Sequence, residues 1–129
     1  MLYAVIMAGG SGTRFWPWSR KETPKQLLKI TGQETMIKQT VDRIIGEIPS
    51  DNIYVVTTST LAKNIEKELS QIPAKNIISE PFGRNTAACI GLAAAIISKS
   101  DPNAIMAVMT ADHIIKPPDL FVKALKCAE

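Results

Sequence analysis

Cysteine is scarce in this sequence of 129 residues, which holds only Cys89 and Cys127. Both fall in helix-like segments without metal-ligand spacing, so they read as reduced thiols in a cytosolic protein. No apolar run approaches the roughly 20 residues of a membrane span. Residues 2–8 are apolar but lack a preceding basic region and a cleavage site, so no signal peptide is expected. There is no GxxxxGK[ST], which excludes a P-loop. Gly10-x-Gly12 lacks the later glycine of GxGxxG, and the bulky Arg14-Phe15-Trp16-Pro17 is too proline-broken to open a tight helix, which disfavours a dinucleotide fold. Internal repeats, linkers and low-complexity segments are missing too.

What is present is an ordinary globular composition, 46% hydrophobic and 21% charged. That is enough for one domain with a sizeable core, and not obviously for two. Charge is unevenly placed. Residues 1–30 hold five cations (Arg14, Arg20, Lys21, Lys25, Lys29) against one acid, Glu22, whereas the remaining ten cations and eleven acids nearly cancel. The surplus surrounds a glycine-rich stretch, Ala8-Gly9-Gly10-Ser11-Gly12-Thr13-Arg14, that follows the apolar run Leu2-Tyr3-Ala4-Val5-Ile6-Met7. A strand delivering a glycine turn to a rim of cations is the pattern of a phosphate loop. Gly9, Gly10 and Gly12 let backbone N–H groups approach an anion and leave φ free to become positive. Arg14 and Lys25 add side-chain charge. A small polyanion is therefore expected there, and no nucleic acid, whose surface would spread its charge over a face or a helix.

Downstream, strands and helices alternate. Helical spacing of Met36, Ile37, Thr40, Val41, Ile44 and Ile45 predicts a helix that Thr35 caps and Gly46 with Pro49 stops. Ile53-Tyr54-Val55-Val56-Thr57 reads as a strand covered on both faces, and Leu61, Ile65 and Leu69 mark an amphipathic helix. A short strand over 76–79 runs into the loop 80–85, and an apolar, small-residue helix spans 86–99. Residues 104–109 form another buried strand before Thr110-Ala111-Asp112-His113, and Pro118 opens a last helix with Phe121, Val122 and Leu125 inward. The economical fold is α/β: a Rossmann-like open, mainly parallel sheet with helices on both faces. The last helix stops at Glu129 without a capping signal, as expected of a domain truncated at its C-terminus.

In such a sheet, ligands bind beyond the carboxyl ends of the strands. Three segments reach that edge. The glycine turn offers backbone donors, Arg14 and Lys25 for phosphates. The loop 80–85 offers a carboxylate, Glu80, and an amide, Asn85, suited to the edge of a base. Asp112 is a hard oxygen ligand able to hold Mg²⁺ beside phosphates. Together they describe a nucleoside triphosphate site.

Residues 8–20, with Pro24-Lys25-Gln26, resemble the signature of the nucleotidyltransferases that make nucleotide sugars. Within that superfamily, Glu80-Pro81-x-x-Arg84-Asn85-Thr86-Ala87 and Ala111-Asp112-His113 resemble the mannose-1-phosphate guanylyltransferase family, over the whole chain. Trp18 stands where that family usually has leucine, and Met109-Thr110 where it has Leu-Pro.

The resemblance implies the nucleotide-diphospho-sugar transferase fold for residues 1–129, a nucleotide-binding domain. It also implies a cytoplasmic reaction of GTP with mannose 1-phosphate, giving GDP-mannose and pyrophosphate with Mg²⁺. Nucleotide-binding residues would be Ala8, Gly9, Gly10, Ser11, Gly12, Thr13, Glu80, Asn85 and Thr86. Arg14 would stabilise the leaving pyrophosphate, Lys25 would hold the α-phosphate or the incoming phosphate, Asp112 would bind the metal, and Glu80 would read guanine.

Plainer readings are kept beside these: Asp112 as a cap, Glu80 as a solvated loop acid and Arg84 as a surface ion-pair partner. His113 reads as a structural hydrogen-bonder, Trp16 and Trp18 as packing for the loop, and the cysteines as core thiols. Another sugar-1-phosphate nucleotidyltransferase, a molybdopterin guanylyltransferase or a non-catalytic nucleotide-binding module are the alternatives. A homo-oligomer is compatible with the sequence, and no membrane partner is expected.

Overall fold

The computed structural model describes residues 1–10, 15–20, 23–83 and 85–129. Among these, four strands form one parallel sheet: β1 (Leu2–Met7), β2 (Ile53–Thr58), β3 (Ile77–Glu80) and β4 (Ile105–Thr110). Their order is β3-β2-β1-β4. The helices α1 (Met36–Asp42), α2 (Ser59–Glu68) and α3 (Asn85–Ile97) lie between successive strands in the chain, and α4 (Pro118–Ala128) follows β4.

The layering follows from the alternation of side chains along each strand. Ala4, Ile6 and Val55 meet Ile37 and Val41 of α1 and Leu61 and Ile65 of α2, and Phe121 and Leu125 of α4 pack against that core. The intervening positions Tyr3, Val5, Val56 and Ile78 form a second core on the opposite face, closed by Cys89, Ala93 and Ile97 of α3. The fourfold spacing of those three α3 residues puts them in one stripe. Helices on both faces explain why β1 and β2 read as continuous apolar runs rather than alternating ones.

Some boundaries differ from expectation. Thr35 caps α1, its hydroxyl accepting from the Lys38 N–H at 3.3 Å and donating to Glu68 Oε1 at 2.8 Å. Regular helix ends at Asp42 rather than near Ile45. The chain there tightens, with Ile44 N–H bonded to Val41 O at 3.0 Å and Glu47 N–H to Ile44 O at 2.9 Å. Such i→i−3 bonds finish a helix while keeping its buried stripe, and Ile44 and Ile48 stay in the core. Asn76, expected in β3, precedes it. Its buried amide donates to the carbonyls of Asp51 at 2.8 Å and Ile53 at 3.1 Å, tying the entry of β3 to that of β2. Glu80 is consequently the last residue of β3, not a loop acid.

β4 lies at the sheet edge and is not the buried strand that its apolar run suggests. It pairs with β1 alone among the described residues, leaving Ile105 43% and Val108 38% exposed. Cys127 is exposed as well, so only Cys89 is a core thiol. No helix among the described residues is long and apolar enough to cross a membrane.

Candidate functional site

β1 has β2 and β3 on one side and β4 on the other. The connections therefore diverge at β1, which opens a crevice beyond the carboxyl ends of β1 and β4. A cavity of about 650 Å³ occupies it. That volume suits a ligand of nucleotide size.

The turn after β1 supplies one wall. Ala8 is anchored by its N–H, which bonds to Val56 O at 2.8 Å. Its carbonyl accepts from Thr57 Oγ1 at 3.0 Å and Gln26 Nε2 at 2.6 Å, and the Gln26 amide also reaches Gly10 O at 3.2 Å. Neither Gly9 nor Gly10 uses the positive φ that glycine leaves open. What the turn uses at Gly9 is the missing side chain. A Cβ there would stand 3.3 Å from Glu80 Oε2, so glycine lets the carboxylate lie against the turn.

Lys25 lies on a short 3-10 turn (Lys25–Leu27), and its Nζ is paired with Asp112 Oδ2 across the cavity. Burial works against the Asp112 charge, but the hydrogen bond and charge of Lys25 outweigh it and hold the carboxyl below its ordinary value. The segment carrying Asp112 is steadied from outside, because Arg43, the residue that caps the C-terminus of α1, donates to His113 O at 3.2 Å and lies 5.5 Å from the ring centre of Phe121. The partial burial of Arg43 lowers its pKa.

Glu80 ends β3 and is buried on the cavity wall. Asn85, at φ 67°, and Thr86 bring the start of α3 to the same space. Asparagine tolerates that left-handed conformation better than most residues. Cys89 lies one turn further along α3, its thiol pushed up to about 11 by burial and then by the Glu80 charge. At neutral pH it is a protonated wall group, not a nucleophile.

Ala8, Gly9, Gly10, Lys25, Glu80, Asn85, Thr86 and Asp112, all singled out from sequence, line this one cavity. Ser11, Gly12, Thr13 and Arg14 lie outside the described residues, as does Arg84. Trp16 and Trp18 are 77% and 70% exposed, so they do not pack the loop as expected. The His113 side chain is exposed, and its backbone carbonyl takes the Arg43 bond.

Sequence reasoning assigned no role to Gln26 and put Cys89 in the core alone. A polar side chain between Lys25 and the apolar Leu27-Leu28 was the available signal for the first. For Cys89 there was none, since its place on the wall depends on how α3 is set. Among the described residues, no group of three or more His, Cys, Asp or Glu side chains is placed to hold a metal ion.

Comparison with known proteins bears on this geometry. Residues 3–129 match the family model described as Nucleotidyl transferase. A mannose-1-phosphate guanylyltransferase of Escherichia coli is 40% identical over 131 residues, covering 100% of this chain and 28% of that protein. The alginate biosynthesis protein AlgA of Pseudomonas putida is 37% identical over 130 residues, covering 99% and 27%. A solved Thermus thermophilus structure, described as a mannose-1-phosphate geranyltransferase, superposes with a TM-score of 0.87 at 27% identity, covering 98% of this chain and 36% of that one. The chain thus spans little more than a quarter of the length of the two curated relatives.

Proposed function

This chain belongs to the nucleotidyl transferase family, and from that premise we propose that residues 1–129 are a nucleotide-binding domain acting on GTP and mannose 1-phosphate to give GDP-mannose and pyrophosphate. The observation that carries this reading is the meeting of Lys25, Glu80 and Asp112, from three separate stretches, in one cavity at the carboxyl edge of the sheet. A cation, a base-reading carboxylate and a hard oxygen donor are the three groups that a nucleoside triphosphate needs.

In this reading a phosphate oxygen of mannose 1-phosphate attacks the α-phosphorus of GTP in line. One P–O bond forms as the bond to the α–β bridging oxygen breaks, and pyrophosphate leaves with the electron pair. Positioning and charge stabilisation supply most of the acceleration. Lys25 takes the α-phosphate or the incoming phosphate, and Arg14 the leaving pyrophosphate. Residues 8–13 offer backbone N–H groups to the phosphates. Glu80 accepts from guanine N1–H and the 2-amino group, a pair of donors that adenine and uracil do not present together, and Asn85 and Thr86 complete the nucleotide site.

A single carboxylate fits Mg²⁺, which takes one or two protein oxygens and fills its shell with water and phosphate. Asp112 would hold it, and Mg²⁺ when bound neutralises phosphate charge. Lys25 then exchanges the Asp112 carboxylate for phosphate, so the ion pair holds both side chains at the cavity until ligand arrives. Free thiols at Cys89 and Cys127 fit a reducing, cytoplasmic setting.

The test is pyrophosphate release by the chain with Mg²⁺, mannose 1-phosphate and each of the four ribonucleoside triphosphates in turn. Release with GTP alone is expected. Release with a different triphosphate would reassign the base, and GTP binding without release would make the chain a binding module whose turnover needs further residues.

A further inference from the structure

Gln26 is 1% exposed, and its amide is the only side chain among the described residues that bonds to two carbonyls of the turn after β1. Nε2 donates to Ala8 O at 2.6 Å and to Gly10 O at 3.2 Å. These two acceptors dictate the orientation of the amide, because its oxygen in that place would face two carbonyls. Gln26 Oε1 has no hydrogen-bond partner among the described residues. The group is therefore poorly satisfied as a core residue, and the donor half carries its interaction with the turn.

The position of those carbonyls matters for an anion. A carbonyl oxygen turned into a phosphate site repels the ligand, whereas one held by a donor is turned away and partly neutralised. In a trans peptide unit the N–H points opposite to the C=O. Holding Ala8 O toward Gln26 and Thr57 thus turns the Gly9 N–H the other way. The same 3-10 turn carries Lys25, so one backbone unit places both the cation and the group that sets the turn.

We propose that Gln26 is a positioning residue for the phosphate site: its amide sequesters the Ala8 and Gly10 carbonyls so that the turn presents donors rather than acceptors to the triphosphate. This rests on the nucleotide-site reading above and goes beyond it, since Gln26 acts through the turn.

The experiment compares the wild-type chain with Gln26→Met and Gln26→Glu, measuring the Kd for Mg²⁺–GTP by calorimetry and the Tm by circular dichroism. Methionine keeps the volume and removes the donor; glutamate keeps the shape and turns a charge on the carbonyls. Loss of two hydrogen bonds predicts about tenfold weaker GTP binding in Gln26→Met, at a Tm within about 5 °C of wild type. Gln26→Glu should bind more weakly still at pH 7.5 and recover relative to wild type as the pH falls, because protonation restores one donor. A residue that only fills the core would lose Tm in step with affinity in both variants, because acid also relieves a merely buried charge.

Unchanged GTP affinity in both variants, or a loss in Gln26→Glu that acid does not relieve, overturns the proposal. So does unfolding of both variants at 25 °C, which assigns the side chain to the core. A wild-type chain that binds no triphosphate sinks the site reading and this inference together. Wild-type binding that Lys25→Ala weakens and the Gln26 variants do not leaves the site reading standing and removes this inference alone.

Discussion

At the scale of residues, the cavity wall depends on one contact between groups far apart in sequence. Gly9 has no side chain where the Glu80 carboxylate lies, and a Cβ there would approach Glu80 Oε2 to 3.3 Å, with Thr57 Cα and Thr58 Cγ2 at 4.0 Å. Only the flexible carboxylate would have to yield. Gly9→Ala is therefore expected to keep the fold, with a Tm within about 3 °C of wild type. If Glu80 reads the base as proposed, displacing it should cut the preference for GTP over ATP about tenfold, the worth of one good charged hydrogen bond. Titration of both triphosphates checks it, and an unchanged preference would detach Glu80 from base recognition. Gly10→Ala is the control for packing, since a Cβ there meets only Lys25 Cε at 4.0 Å, an ordinary contact.

At the scale of elements, the entry of β3 is set by Asn76 and not by its own short apolar run. The buried amide spans the Asp51 and Ile53 carbonyls, which fixes where β3 begins and therefore that Glu80 ends it on the cavity wall. Asn76→Ala leaves both of those carbonyls without that donor in a buried place. A loss of about 2 kcal/mol in urea unfolding is expected. A change below about 0.5 kcal/mol would mean that pairing with β2 alone sets the strand. The shift of β3 from 76–79 to Ile77–Glu80 was hidden from periodicity because a four-residue strand offers too few alternations. Thr35, in contrast, was legible as a cap, since its bond to Lys38 N–H depends on residues three apart.

At the scale of the whole molecule, net charge of +3 sits on a chain whose first thirty residues hold five cations against one acid. Screening of that field predicts that GTP binding weakens several-fold between about 50 and 300 mM NaCl, as the Debye length contracts. Guanosine, which lacks the phosphates, should show little change; an equal loss for both would assign the salt effect to something other than the cation rim. The sequence by itself determined the alternation of strands and helices, the parallel sheet and eight of the residues that line one cavity, because apolar period and glycine–cation spacing are local. Tertiary structure alone decided which strand lies at the edge, since Ile105 and Val108 are as apolar as core residues and only the order β3-β2-β1-β4 exposes them. It also decided the partners inside the site. The Lys25–Asp112 pair joins residues 87 apart, Glu80 meets Gly9, and Gln26 reaches back to Ala8 and Gly10. Such contacts follow from how the sheet brings distant turns to one edge, and no periodicity records them.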